Sequence, residues 1–205
     1  MIVTVSRAYG AAAHDVSAAA AERLGYRFAD RELPVVVAAR LGTSSEAVES
    51  VADRPPSFGE RVMQQLGGGV PETAQLGSPS EDDFSIDTRR AIEQAVREIA
   101  AAGNVVINGR MAGAILGPRP DVLRVFIYAP TAWRIAHVSE SLGCDVAAAR
   151  EEILRIDEAR RLYAKSHYRV TWGDPRNYDL MLDTSRFGID GTADLIVAAV
   201  RAATA

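Results

Sequence analysis

The residues with the clearest chemical potential are a short loop and a set of arginines. The string Ser6-Arg7-Ala8-Tyr9-Gly10-Ala11-Ala12-Ala13-His14-Asp15 follows an apolar run and leads into an alanine-rich one, so it sits where a strand hands over to a helix. A phosphate loop stands at such a place, because glycines let backbone N–H groups converge on phosphates while a lysine bridges the outer ones and a Ser or Thr holds magnesium. Here the lysine position falls on Ala13, the hydroxyl position on His14, and the chain's single lysine, Lys165, lies far away. By the generic motif the site fails, and an ordinary strand-to-helix turn is the plainer reading. What the loop keeps is Gly10 and a helix start, whose unpaired N–H groups and partial positive charge suit an anion.

Phosphoryl transfer needs alignment and neutralisation of developing charge more than covalent chemistry, so cations at strand ends are the residues to find. Arg7 stands just beyond the first strand; a surface ion pair is its plain alternative. Arg110 ends the central strand candidate "NVVINGR", and ligands of open α/β sheets gather at the carboxyl ends of strands. Arg155, Asp157, Arg160 and Arg161 recur at near-helical spacing, a series that is ordinarily a solvated helix face; a carboxylate such as Asp157 can also fix a neighbouring guanidinium. Asp30 reads as a substrate-side carboxylate or a helix cap, and Asp15 as a dipole partner or a magnesium ligand through water. His137 and His167 lack partners at zinc or triad spacing and read as structural, Trp133 and Trp172 as packing residues. No direct metal motif is present.

These residues need a framework, and the apolar pattern supplies one. Strands are expected at residues 2–6, in "YRFAD", "NVVING", "LRVFIYAP" and "DLMLDT". The third and fourth are continuous β-branched runs suited to the centre of a parallel sheet. Helices are expected over 13–24, in "RELPVVVAARLG" and "TSSEAVESVAD", and over 86–102, 131–142, 146–168 and from Asp190 onward. Residues 67–83, rich in Gly, Pro, Ser and acid, read as a mobile loop. The result is an α/β fold with a five-stranded parallel sheet flanked by helices, as one domain spanning residues 1–205.

With 205 residues and 48% hydrophobic content the chain can bury one substantial core. Its net charge of −4 offers no general attraction to nucleic acid, and no run approaches the roughly 20 apolar residues of a membrane span. The lone Cys144 excludes an internal disulfide, and with no basic leader at the N-terminus a reducing, cytoplasmic setting is expected. Whether the chain forms a homodimer stays open.

The string "TVSRAYGAAAHDVSAAAAERLGYRFADRELP" resembles the opening of cytidylate-kinase-like proteins, and the likeness continues through "NVVINGRMAGAIL", "LRVFIYAPTAWRI" and "WGDPRNYDLMLDTSRFGID". The resemblance implies a nucleoside monophosphate kinase fold of the phosphate-loop type, ATP and Mg2+ as cofactors, and transfer of phosphate to a CMP-like or similar small phosphate acceptor. It implies that Ser6, Arg7, Gly10, Ala11, Ala12, Ala13, His14 and Asp15 hold the ATP phosphates and that Arg110 holds the acceptor, beside which Asp30 is the substrate-side carboxylate read from its position. It places a monophosphate-binding region over about 30–85 and an arginine lid over about 150–178, whose Arg155, Asp157, Arg160 and Arg161 close over the phosphates, with Arg7, Arg160 and Arg161 as catalytic cations. Family members carry Ser-Gly-Gly where this chain has Ala11, Ala12 and Ala13, and a carboxylate where it has Met111. Those departures support a rival reading, a nucleotide-binding regulator that kept the fold and lost catalysis. A kinase acting on a non-nucleotide acceptor is a third.

Overall fold

The computed structural model describes residues 1–30, 32–45 and 81–204. The expected helix in "TSSEAVESVAD" and the expected mobile loop up to residue 80, and with them most of the monophosphate-binding region, lie outside the described residues. Five strands form one all-parallel sheet: β1 (Ile2–Arg7), β2 (Arg27–Ala29), β3 (Val105–Asn108), β4 (Val122–Tyr128) and β5 (Leu180–Asp183), in the order β2-β3-β1-β4-β5. The helices are α1 (Ala13–Leu24), α2 (Glu32–Leu41), α3 (Glu81–Ala101), α4 (Ala112–Leu116), α5 (Thr131–Leu142), α6 (Val146–Tyr168) and α7 (Thr184–Thr204).

Period-two alternation along the strands fills two apolar layers. Val3, Val5, Val106, Val125 and Ile127 face the side that receives Val16 and Ala20 of α1 and Ile196 of α7. Ile2, Val105, Ile107 and Val122 face the other, against Leu33 and Val37 of α2 and Ile92 and Val96 of α3. A third cluster, Ile135, Val138, Ala149 and Ile153, holds α5 to α6 and packs on Tyr9. No helix among the described residues is long and apolar enough to cross a membrane.

Three boundaries differ from the pattern reading. Helix α3 already includes Glu81, ahead of the expected Ile86, so residues 81–83 belong to it and not to the loop. Helix α7 begins at Thr184, because Asp183 accepts from the Ser185 backbone N–H (2.9 Å) as a cap, and Gly188 (φ 66, ψ −179) then breaks the helix just before the expected start at Asp190. The pattern following "NVVING" is helical, as α4 is, but with five residues it carries no bounds that can be read.

Candidate active site

Because every strand runs the same way, Arg7, Asp30, Asn108 and Arg110 emerge at one edge of the sheet, and β1 lies between β3 and β4. Two cavities open there. One is a cleft lined by Ser6, Arg7, Asp30, Arg110, Met111 and Arg160, with Ile92, Tyr163 and Trp172 as its apolar wall. The other lies over the residue 7–15 loop and is completed by His137, Val138 and Arg160. Arg7 and Arg160 line both.

The loop's three alanines do not fill its cavity. Ala11 and Ala13 are 1% and 4% exposed and belong to the core beneath the loop. Of the three, only Ala12 adopts a left-handed backbone (φ 52), while Gly10 takes the steeper turn (φ 78). An added Cβ at Gly10 would stand 2.6 Å from Val138 Cγ2 and 3.2 Å from the Arg134 carbonyl oxygen, so glycine is required where the loop lies flat on α5. Thr184 Oγ1, at the start of α7, donates to the Ala11 carbonyl at 2.9 Å and lies 3.2 Å from that of Tyr128.

The cleft is built from strained backbone. Gly109, Arg110 and Met111 all have positive φ (85, 52 and 53), a costly arrangement for two non-glycine residues that clusters at functional sites. Arg7 lies directly on Gly109: a Cβ there would meet Arg7 Nη1 at 2.3 Å. Asp30 accepts from Asn108 Nδ2 (3.2 Å) and pairs with His14 Nδ1 (2.9 Å), joining the loop to the cleft. Burial raises the Tyr163 hydroxyl pKa above its ordinary value, and burial followed by the Glu152 charge does the same for Tyr9. Both phenols therefore stay neutral at ordinary pH.

The lid arginines separate. Arg160 Nη1 donates to the Arg7 carbonyl (3.2 Å) and its guanidinium stands 5.7 Å from the Tyr9 ring centroid. Arg161 instead forks onto Glu158 (2.7 and 2.6 Å) with the two side chains 54% and 52% exposed. Arg155 forks likewise onto Glu152. Both line an outer groove on α6 and not the cleft, because successive helical residues project about 100° apart and Arg160 takes the inward direction. The Asp157 carboxylate accepts from the Tyr9 backbone N–H (2.8 Å) and pairs with Arg134 Nη1 (2.6 Å). The sequence reading missed Arg134, Asn108 and Thr184, and it treated His137, which lines the loop cavity, as structural.

Among the described residues no group of three or more His, Cys, Asp or Glu could hold a metal ion. Magnesium takes one or two carboxylates together with substrate phosphates and water; the carboxylates that suit it are Asp30, which lines the cleft, and Asp15, which lines the loop cavity.

A model of the cytidylate kinase-like family matches residues 2–186. The chain belongs to this family. The cytidylate kinase of Methanopyrus kandleri is 33% identical over 148 residues, covering 68% of this chain and 74% of the relative. That of Methanocaldococcus jannaschii is 30% identical over 143 residues, covering 68% and 76%. Among solved structures, an uncharacterized protein from Eubacterium ventriosum superposes with a TM-score of 0.68 at 19% identity, covering 98% of both chains. The shikimate kinase of Bacteroides thetaiotaomicron gives 0.53 at 13% identity, again over 98% of both. These two likenesses show the fold alone: a parallel α/β fold shared, in the second case, with a shikimate kinase.

Proposed function

We propose that this protein transfers the terminal phosphoryl group of ATP to a nucleoside monophosphate of the CMP type, in the cytoplasm. The observation that carries the reading is that Arg7 and Arg160 line both the loop cavity and the cleft containing Arg110 and Asp30. In the reaction, an oxygen of the acceptor phosphate attacks the γ-phosphorus, the bond from the β,γ-bridging oxygen to that phosphorus breaks, and ADP leaves with the electron pair. The N–H groups from Gly10 to His14 hold the donor phosphates at the start of α1. Arg110 holds the acceptor phosphate through the planar fork that suits such groups. Arg7 and Arg160 meet the transferring group as its charge spreads over the equatorial oxygens. Asp30, with Asp15 nearby, would hold a magnesium ion that neutralises the triphosphate. Ile92, Tyr163 and Trp172 exclude water, which would otherwise take the phosphoryl group.

Met111, in place of the family's carboxylate, favours an acceptor whose base differs from cytosine as a second reading. The test is ADP formation from Mg-ATP across CMP, UMP, dCMP, AMP and non-nucleotide phosphates. ADP formation that depends on a pyrimidine monophosphate is expected. Binding of ATP with no acceptor-dependent ADP would overturn the kinase reading in favour of a nucleotide-binding regulator.

A further inference from the structure

We propose that Arg134 and Asp157 act as a clamp on the Tyr9 peptide, positioning the phosphate loop and setting Arg160 in register with it. The inference rests on the kinase reading for its effect on activity, but its geometry stands alone. Both backbone polar groups of Tyr9 meet side chains: Asp157 Oδ1 accepts from its N–H at 2.8 Å, and Arg134 Nη1 donates to its carbonyl at 3.1 Å. The clamp closes on itself, since Arg134 Nη1 also reaches Asp157 Oδ2 at 2.6 Å and Nε donates to the Ala129 carbonyl at 3.1 Å.

The two side chains are 12% and 19% exposed, so water competes weakly for these charge-assisted bonds. Adhesion of α5 to α6 does not require them, because Ile135, Val138, Ala149 and Ile153 already supply it. What the clamp adds is a fixed path for the chain immediately before Gly10 (φ 78) and Ala12 (φ 52). A left-handed alanine is a conformation the loop does not choose by itself. Arg160 lies three residues beyond Asp157, on nearly the same side of α6, and spans from the Arg7 carbonyl to the Tyr9 ring. Fixing Asp157 on Tyr9 therefore fixes where Arg160 meets the loop. Arg134 and Asp157 are positioning residues; neither needs to touch a substrate.

The test compares Asp157→Ala, Asp157→Asn and Arg134→Ala with the native protein. Hydrogen exchange is followed without ligand at the Tyr9 amide, and KM is measured for ATP and for CMP. Asp157→Ala should speed Tyr9 exchange by about tenfold or more and raise the ATP KM by a similar factor, with the CMP KM changing less than about threefold. Asp157→Asn keeps an oxygen for the Tyr9 N–H, so it should restore most of the protection and of the ATP KM. It also keeps the test open should the alanine variant fail to fold. Unchanged Tyr9 exchange in both Asp157 variants, or equal rises in both KM values, would overturn the clamp. If the native protein turned over no acceptor, the kinase reading would fall while the exchange comparison still decided the clamp.

Discussion

Replacing Gly109 by alanine separates a strained turn from the cation that rests on it. Gly109 has φ +85, and its new Cβ would lie 2.3 Å from Arg7 Nη1. The backbone cost of a left-handed alanine is about 1–2 kcal/mol, which in a chain of this size lowers Tm by about 2–8 °C. The steric conflict is with the end of a flexible side chain, so it is relieved by moving Arg7 away. Losing one hydrogen bond from a charged group costs about 1.5–3 kcal/mol, hence a fall in kcat/KM between about 10-fold and about 150-fold. Gly103→Ala is the control: it has φ +68 and nothing within 4 Å of the added Cβ, so it should lose comparable stability and keep its activity. Calorimetry and a coupled ADP assay on both variants give the comparison. Equal kcat/KM in the two variants would refute the placement of Arg7 in the reacting centre.

Three other outcomes are expected. Arg110→Ala should raise acceptor KM at least about tenfold while shifting Tm by less than about 2 °C; an equal loss of stability would make Arg110 a structural ion-pair residue. Thr184→Val leaves the Ala11 carbonyl without its 2.9 Å donor and should cost about 1–3 kcal/mol, read as a drop in the denaturant midpoint with an unchanged slope. Hydrogen bonding and charge from Arg124 hold the Asp179 carboxyl below its ordinary 3.8. A carboxyl lowered in the folded state binds fewer protons there than in the unfolded chain, so its contribution is complete above about pH 5 and fades as pH falls through 3.8 and below. Asp179→Asn should therefore be less stable than the native protein at neutral pH and converge with it under acid, as measured by urea unfolding across pH; parallel curves would contradict the pairing.

The fold was legible where burial imposes a period. Helices α1, α5 and α6 carry their limits in the sequence, with Gly25 (φ 65) and Gly143 (φ 63) closing the first two. The start of α7 was not, because Asp183 caps a short turn that Gly188 interrupts, and the pattern resumes only at the later piece. At the site, Arg7 and Arg110 could be read because strand ends in a parallel sheet converge on one edge. Arg134 as a partner of Asp157, and the outward turn of Arg161, were not legible, for a different reason. Near-helical spacing shows which residues are neighbours along α6 but not which face turns inward, and Arg134 meets Asp157 only once α5 folds against α6. Where the three alanines lie is something no string reveals: Ala11 and Ala13 join the core beneath the loop, and the Ala11 N–H donates to the Ala8 carbonyl at 3.3 Å.

The most direct test is a crystal structure with a bisubstrate analogue in which adenosine and cytidine are joined through five phosphates. The account predicts the adenosine-side phosphates on the Gly10 to His14 amides, the cytidine-side phosphate on Arg110, and Arg7 and Arg160 against the phosphate between them. A polyphosphate chain bound away from the loop, with those amides in water, would contradict it.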